Sequence, residues 1–365
     1  MELELSTILW CFFLTLISGV MILVTTKYHG RWTQDSDVGV QKFHVTATPR
    51  VGGLAVFLGV TVGFFLQADG AMRQDFLAVF LCAALPFANG VREDVWKIGS
   101  VLERLLSIVL ASLAVVVLTG VSIHRVDVPI LDQFLSWPVV AMIFTVFAVT
   151  GITNAINIID GFNGLASGVS LYIFFFLAAI ALQVGDADVA ELSIIMATAL
   201  LGFMLLNFPF GKIFLGDSGA YFIGFCLAWL ALMLPYRNPS GSPWAPLVIA
   251  AYPVTEVIYS IYRRLRAKMS STQPDNEHLH SLIKTRLIRR FCFNLPVWLR
   301  NSMVSPLVWI SSIAMGLIGV IYQSDTQALM IFFALFVLVY VVTHKVLLLL
   351  PAYDGMGRRI ERNGN

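Results

Sequence analysis

The sequence has little charge. Of its 365 residues, 13% are Asp, Glu, Lys or Arg and 58% are hydrophobic, with a mean hydropathy of +0.81. An ordinary soluble domain carries roughly 25% charged residues, about twice as many. The composition therefore argues against a soluble domain. We expect an integral membrane protein.

Cysteines are also few, and they are scattered. Cys11, Cys82, Cys226 and Cys292 form neither a CxxC pair nor a Cys/His metal spacing. Three of them lie within apolar runs, where free cysteine is a small packing residue. No soluble domain, low-complexity tract or fixed-period repeat is visible. Residues 1–365 are therefore predicted to form one membrane domain.

Long apolar runs are abundant. Eleven of them approach the roughly 20 residues that a helix needs to cross hydrocarbon, or can reach that length with flanking residues. Backbone polar groups in lipid must be satisfied within the segment, so such runs are helices rather than barrel strands. The predicted spans are Thr7–Thr26, Val51–Leu66, Phe76–Val91, Leu105–Val121, Val139–Ile159, Leu165–Val184, Leu192–Leu206, Ala220–Leu234, Ala245–Tyr262, Pro306–Tyr322 and Ala328–Leu350. The expected fold is an all-α polytopic bundle of about eleven transmembrane helices.

The distribution of Lys and Arg predicts the orientation of this bundle. One set of loops holds 20 of the 24 basic residues, whereas the opposite loops hold only Arg73, Arg125 and Arg237. Basic residues accumulate in cytosolic loops. With eleven spans, we therefore expect the N-terminus outside and the C-terminus in the cytosol. The first apolar run has no small-x-small cleavage site and is kept as a span.

The longest polar segment, 263–302, is predicted to be a cytosolic loop with nine basic residues. Within Leu279–Phe291 the apolar and basic side chains follow the pattern of an amphipathic helix at the membrane interface. These side chains are Leu282, Ile283, Leu287 and Ile288, among Lys284, Arg286, Arg289 and Arg290. Two interpretations stay open: anchoring by positive charge, and a surface that faces phosphates.

Most of the informative carboxylates lie in four short polar breaks between the apolar runs. The breaks are Gly90–Lys97 (GVREDVWK), Asn154–Gly164 (NAINIIDGFNG), Phe214–Gly219 (FLGDSG) and Pro274–Ser281 (PDNEHLHS). In the predicted topology all four lie on the cytosolic face, because loops separated by a pair of spans share a face. Their convergence indicates an active site.

The second break carries amides and an acid at helical spacing. Asn154, Asn157 and Asp160 recur every three residues, which places them along one face of a helix end. Gly161 and Gly164 follow, and glycine lets a ligand approach the backbone closely. Helix capping with an Asx-turn is the alternative. Three such groups in a membrane segment are nevertheless costly without a partner, which favours a ligand site.

The other acids support weaker inferences when taken singly. Asp217, between glycines, suits Mg²⁺ held jointly with substrate phosphates, although GDSG is also a good turn and N-cap. Glu93 and Asp94 are adjacent carboxylates that could instead pair with Arg92 or Lys97.

Basic and imidazole side chains provide candidates for phosphate contact. His278 and His280 have no third ligand at a usual zinc spacing, so hydrogen bonding to phosphate is favoured over zinc. The first polar loop contributes Lys42, Arg50 and a Gly-Gly pair, which suit a cationic, glycine-flanked phosphate contact.

In their order along the chain, these segments resemble the polyprenyl-phosphate N-acetylhexosamine-1-phosphate transferases of glycosyltransferase family 4. The resemblance covers about residues 27–282 and is most specific in Asn154–Gly164 and Phe214–Gly219. It implies transfer of a sugar-1-phosphate from a UDP-N-acetylhexosamine to undecaprenyl phosphate, with release of UMP. It further implies a Mg²⁺ cofactor, with Mn²⁺ as an alternative. The implied location is the inner membrane of a bacterium, and membrane lipid is an expected partner. Nucleic acid is not an expected partner, and a homodimer is left open.

The resemblance also assigns roles to individual residues. Asp217 matches the Mg²⁺ ligand, and Asp94 the second acid of a pair that deprotonates or positions the lipid phosphate. Glu93 occupies the position of the first acid of that pair, which is commonly Asp in the family. The expected catalytic residues are Asp94, Glu93, Asp160, His278 and His280. The expected substrate-binding residues are Lys42, Arg50, Lys97, Asn154, Asn157, Asn163, Asn207 and Phe214, the last by stacking on uracil.

Some questions stay open at this level. Ser281 replaces a third histidine common among relatives, which favours UDP-GlcNAc or a related hexosamine over the donor of the lipid-I enzyme. Glu256 resembles an acidic position in the family, but the sequence assigns it no role. Direct attack of the lipid phosphate is favoured over a double displacement through a carboxylate. The competing class is a transporter, which would place ionisable groups near the midplane rather than at helix ends.

Overall fold

The computed structural model of the chain describes residues 4–34, 47–67, 73–268, 275 and 277–360. The helices are α1 Leu5–Thr33, α2 Gly52–Gln67, α3 Arg73–Trp96, α4 Val101–Thr119, α5 Pro129–Leu135, α6 Pro138–Ile158, α7 Leu165–Val184, α8 Ala187–Asn207, α9 Gly216–Arg237, α10 Trp244–Ile249, α11 Ala251–Arg266, α12 Leu279–Leu282, α13 Arg289–Phe291, α14 Val297–Ser302, α15 Val304–Ile321 and α16 Thr326–Leu349. A π-helical segment, Ile283–Ile288, joins α12 to α13, and a short hairpin pairs β1 Ala352–Tyr353 with β2 Arg359–Ile360.

The prediction of an all-α polytopic membrane protein is confirmed. Within the described ranges, nine helices are long and apolar enough to cross a membrane, and α2 is a shorter apolar helix. Each of the eleven predicted spans coincides with a helix or with a broken pair of helices. The total of eleven crossings stays a prediction, because α2 is short and the ninth predicted span is divided.

Helix α9 lies at the centre of the bundle. It packs against α2, α3, α6 and α7, and its side chains from Gly216 to Leu234 are buried. Trp229, Tyr221 and Phe225 are among the largest fully enclosed side chains. A helix that is apolar all round belongs in the interior of a bundle. The N-terminal end of α9 is therefore held in place by several other helices.

The ninth predicted span is broken at Ala250. Helix α10 ends at Ile249, and α11 begins at Ala251 and carries Pro253 in its first turn. Proline lacks a backbone N–H and is tolerated in the first turn of a helix, so the sequence permits a new helix to begin here. Beyond the break, α11 packs against α6, α15 and α16.

The predicted amphipathic stretch is helical, but its basic side chains have different environments. Lys284 is buried and donates to Asn301 Oδ1, and burial lowers the pKa of its ammonium group to about 6. Arg286 and Arg289 donate to the backbone carbonyls of Leu350 and Tyr353. This segment therefore also secures the chain that follows α16, while its contact with the membrane interface stays a prediction.

Candidate active site

Asp94 caps the N-terminal end of α9. Its carboxylate, on α3, accepts hydrogen bonds from the backbone N–H groups of Asp217 (3.0 Å) and Ser218 (2.9 Å) and from Ser218 Oγ (2.7 Å). The side chain is fully buried. The first N–H groups of a helix have no partner within it and carry positive partial charge, so a carboxylate is a strong cap. Asp94 therefore fixes the position of Asp217.

Small residues allow three backbones to meet at this helix end. A Cβ on Gly53 would collide with the backbone of Gly219, and one on Gly90 would collide with that of Ser218. Gly216 has a φ of 78°, and a Cβ there would lie 2.6 Å from Asp94 Oδ2. Only glycine tolerates this combination of left-handed backbone and close approach. The glycines of the TPRVGG and FLGDSG segments therefore serve the geometry of the site.

Backbone hydrogen bonds join those same two segments. Phe214 N donates to Pro49 O (2.8 Å), Gly52 N to Phe214 O (2.9 Å), and Gly53 N to Leu215 O (2.8 Å). This strand-like pairing places Arg50 beside the start of α9. Two sequence motifs separated by more than 150 residues thus form one wall of the site.

Asp217 is the acid on which the other polar groups converge. Its Oδ1 accepts from Asn157 Nδ2 at 2.6 Å, and its Oδ2 lies 3.3 Å from Arg50 Nη2. Arg50 Nε also lies 3.9 Å from Asp94 Oδ1. The predicted ligand Asp217 and the predicted contacts Asn157 and Arg50 are therefore together.

Asp160 is the third carboxylate of this cluster. It follows the end of α6, three residues after Asn157, and the backbone N–H of Gly216 donates to it. Withdrawal from bulk solvent, reinforced by the negative charge of Asp217, raises the pKa of Asp160 to about 7. Among the residues that the structure describes, Asp94, Asp160 and Asp217 thus lie around the guanidinium of Arg50, so that three acids face one base.

Glu93 and Lys97 do not form the alternative ion pairs considered for them. Glu93 Oε2 lies 3.5 Å from Arg104 Nε on α4, whereas Arg92 pairs with Glu103. Lys97 Nζ donates to the backbone carbonyl of Asp94 at 2.7 Å, and its own φ is 57°.

Asn207 and Asn163 are bound to backbone beneath the site. Asn207 Oδ1 accepts from Gly164 N (2.7 Å), and its Nδ2 donates to Ile213 O (2.7 Å). Asn163 Nδ2 donates to Pro209 O at 3.1 Å and to Ser302 Oγ at 3.3 Å. Both amides therefore shape the loop that leads to the half-buried Phe214. Their contact with a uridine stays a prediction.

Asn154 is half-buried one turn before Asn157 on α6. The predicted contact Lys42 lies outside the described residues.

The two histidines lie against the loop that carries Asp160. The His280 ring meets the Phe162 ring edge-on at 5.7 Å, and its Nε2 faces Gly161, 3.8 Å from where a Cβ would be. Burial lowers the pKa of His280 to about 4, so this ring is neutral at physiological pH. The His278 ring stacks on it at 5.3 Å and 7°.

Several contributing residues were missed or given no role by sequence reasoning. Ser218 completes the cap with Asp94, and Arg104 binds Glu93 and lies 3.5 Å from Tyr221 Oη. Glu256 contacts His278 at 3.0 Å. The serine of the GDSG segment was a usable signal. Arg104 gave no signal, and Glu256 resembled an acidic position in the family without a role, because both roles depend on which helices are neighbours.

The acidic cluster fits a divalent cation held jointly with substrate. Among the described residues, no group of three His, Cys, Asp or Glu side chains is arranged to hold a metal alone. Mg²⁺ at phosphoryl-transfer sites usually takes one or two carboxylates, with phosphate and water oxygens completing the shell. Asp217, on the rim of a cluster of three acids and one Arg, satisfies that requirement.

Comparisons with known proteins give relatives along most of the chain. The family model described as "Glycosyl transferase family 4" matches residues 76–235. A probable undecaprenyl-phosphate N-acetylglucosaminyl 1-phosphate transferase of Bacillus subtilis is 32% identical over 66% of each chain. An undecaprenyl-phosphate alpha-N-acetylglucosaminyl 1-phosphate transferase of Yersinia pestis is 31% identical over 67% of each. A decaprenyl-phosphate N-acetylglucosaminephosphotransferase of Mycolicibacterium smegmatis is 30% identical over 82% of this chain and 78% of its own.

Proposed function

This chain belongs to glycosyl transferase family 4, and we propose that it transfers N-acetylglucosamine 1-phosphate, or a closely related N-acetylhexosamine 1-phosphate, from a UDP-sugar to undecaprenyl phosphate. The products are the lipid-linked sugar diphosphate and UMP. The observation that carries the proposal is the meeting of Asp94, Asp160, Asp217 and Arg50 at the N-terminal end of α9. The names of the relatives support the sugar and the polyprenyl phosphate.

The reaction joins two polyanions, so its main requirements are charge neutralisation and alignment. An oxygen of the lipid phosphate attacks the β-phosphorus of the UDP-sugar, and the bond from that phosphorus to the UMP oxygen breaks. Asp217 would hold Mg²⁺ with the substrate phosphates, and the bound ion would offset their negative charge.

The chain's own side chains would position the reactants. Arg50, which reaches Asp94 and Asp217, supplies a fixed positive charge. Both oxygens of Asp94 accept hydrogen bonds from the start of α9, which favours a positioning role over that of a base. Asp160 lies beside them, and an acid whose pKa is about 7 is suited to exchange a proton near neutral pH.

We favour a mechanism in which the lipid phosphate attacks the UDP-sugar directly. The alternative is a double displacement through a covalent intermediate on a carboxylate. In the direct version no phosphosugar is attached to the protein at any stage. Incubation with a UDP-sugar labelled in the sugar and its phosphate, without lipid acceptor, followed by denaturation and mass spectrometry, separates the two. A labelled adduct on a carboxylate would contradict direct attack.

We place the reaction at the cytosolic face of a bacterial inner membrane, with the N-terminus in the periplasm and the C-terminus in the cytosol. The excess of basic residues in the loops beside the site supports this orientation. The product would start the synthesis of an O-antigen or another surface polysaccharide, because a lipid-linked first sugar is the acceptor for later transferases.

The test is Mg²⁺-dependent release of UMP by purified protein. Undecaprenyl phosphate and a panel of UDP-N-acetylhexosamines are supplied, and the protein is assayed with and without a chelator. We expect turnover with UDP-GlcNAc or one related donor, lost on chelation and restored by Mg²⁺. No turnover with any donor, from protein with a cooperative thermal transition, would contradict the proposal and favour a transporter.

A further inference from the structure

Glu256 is a buried acid that the reaction, as described so far, does not use. Its side chain is 2% exposed and lies on α11, one turn after Tyr252, so the two side chains occupy the same face of the helix. This face of α11 meets the segment that carries the two histidines, because Tyr252 contacts His280 and Glu256 contacts His278.

The carboxylate holds the first histidine by its ring and by the adjoining backbone. Glu256 Oε1 lies 3.0 Å from His278 Nδ1 and accepts from Leu279 N at 3.4 Å. A carboxylate can only accept, so the hydrogen is on Nδ1 of His278. The other nitrogen, Nε2, lies 3.6 Å from Asp275 Oδ2, beyond hydrogen-bonding distance. With its ring fixed this way, His278 keeps Nε2 available on a partly exposed side chain.

The same carboxylate lies close to the second histidine. Its Oε2 is 3.8 Å from His280 Nδ1, which lies 3.1 Å from Tyr252 Oη. The opposite edge of the His280 ring faces Gly161, beside Asp160. Glu256 and Tyr252 thus support the ring from one side and the Asp160 loop bounds it on the other.

A purely structural role would not require an acid here. Burying a carboxylate costs several kcal/mol unless hydrogen bonds satisfy it. The buried carboxylate of Glu256 is surrounded by the two histidines and by the hydroxyl groups of Tyr252 and Tyr340. A glutamine could accept from the same N–H groups without a buried charge. The charged acceptor instead makes a stronger hydrogen bond to the imidazole N–H than a neutral amide would.

We propose that Glu256 is a positioning residue that fixes the ring orientation and tautomer of His278 and supports His280 against the Asp160 loop. The inference rests on the proposed function, because the fixed imidazoles would hydrogen-bond to the phosphate groups of the substrates. Glu256 itself touches no reacting atom. Its effect on the reaction passes through the two histidines.

The first test is a double-mutant cycle. Glu256→Leu removes the acceptor and Glu256→Gln removes only the charge. We expect Glu256→Leu to lower kcat about 10- to 100-fold, the range found when a group that orients a histidine is lost, with KM changed less than about threefold. Glu256→Gln should recover part of this loss. Glu256→Leu combined with His278→Asn should lose clearly less activity than the product of the two single losses, since both changes remove the same Glu256–His278 interaction.

The matched control is Glu277→Leu. Glu277 is the neighbouring acid in sequence, and its half-exposed side chain pairs with Arg263 rather than with a histidine. We expect kcat within about twofold of the unchanged protein, since an exposed ion pair contributes little. Multiplicative effects of Glu256→Leu and His278→Asn, or an equal loss in Glu277→Leu, would overturn the proposal.

A second measurement does not depend on turnover. Nitrogen NMR of histidine-labelled protein in lipid nanodiscs reports which ring nitrogen carries hydrogen. We expect His278, assigned by its loss in His278→Asn, to be protonated at Nδ1 and to lose this preference in Glu256→Leu. An unchanged His278 spectrum would overturn the proposal even in active enzyme. A changed spectrum in protein that releases no UMP would support the positioning role while contradicting the proposed function.

Discussion

The two ends of α9 both carry clustered charge, but they balance it differently. At the C-terminal end, Arg237 makes two hydrogen bonds to Asp186 (2.8 and 3.0 Å) and one to Asp188 (2.8 Å), and Asn238 donates to Asp186 at 2.9 Å. At the N-terminal end, three acids surround Arg50. The first cluster has mutually satisfied partners, as expected of a structural lock. Among the described residues, acids outnumber Arg by two to one in the first cluster and by three to one in the second. The larger excess of carboxylates at the N-terminal end is expected of a site that receives a cation together with phosphates.

The largest difference should appear in activity when the same chemical change is made at each end. Asp217→Asn should lower the rate of UMP release about 1,000-fold, because it removes the proposed ligand of the Mg²⁺ that would offset negative charge in the transition state. Asp186→Asn, at the other end of α9, should leave kcat within about twofold. A steady-state UMP assay on both purified variants checks this. Equal losses of activity in the two variants would contradict the assignment of the active site to the N-terminal cluster.

Stability should respond in the opposite sense. Arg237→Met leaves the 3%-exposed side chain of Asp186 without its main partner. Breaking a buried pair typically costs about 3 kcal/mol, so Arg237→Met should clearly lower the midpoint of thermal unfolding in detergent. Asp217→Asn should leave that midpoint unchanged or raise it. A stability loss in Asp217→Asn as large as that in Arg237→Met would contradict the comparison.

Asp160→Asn should change the pH dependence of the free energy of unfolding. The pKa of Asp160 is raised from 3.8 to about 7 in the folded protein, so between those values the folded state binds more protons than the unfolded state. This group therefore destabilises the protein increasingly as pH rises from about 4 to about 7. Asp160→Asn should stabilise the protein by about 2 kcal/mol at pH 8 and by little at pH 4, because the full shift corresponds to roughly 4 kcal/mol and neighbouring charges readjust.

Thermal unfolding at the two pH values measures this effect. Asp188→Asn, at the other end of α9, serves as the control and should show no such pH-dependent gain. A gain for Asp160→Asn that is equal at both pH values would contradict the electrostatic explanation.

The sequence predicted the bundle well because hydropathy reports directly on burial in lipid. It also predicted that Asp217, Asn157 and Arg50 would share a site, since the polar segments that carry them lie between apolar runs on the same predicted face. It did not reveal that Asp94 caps α9, because a cap across 123 residues depends on which helix ends meet. The role of Glu256 was hidden for the same reason. Its partner His278 is 22 residues away.

The most direct test of the contrast between the two ends is electron paramagnetic resonance of Mn²⁺ bound to the purified protein, with and without UDP-GlcNAc. Mn²⁺ takes the oxygen ligands that suit Mg²⁺. We predict one protein-bound Mn²⁺ per chain in the presence of the nucleotide sugar, absent in Asp217→Asn and retained in Asp186→Asn. Bound Mn²⁺ that persists in Asp217→Asn, or that disappears in Asp186→Asn, would contradict the assignment of the cation to the N-terminal end of α9.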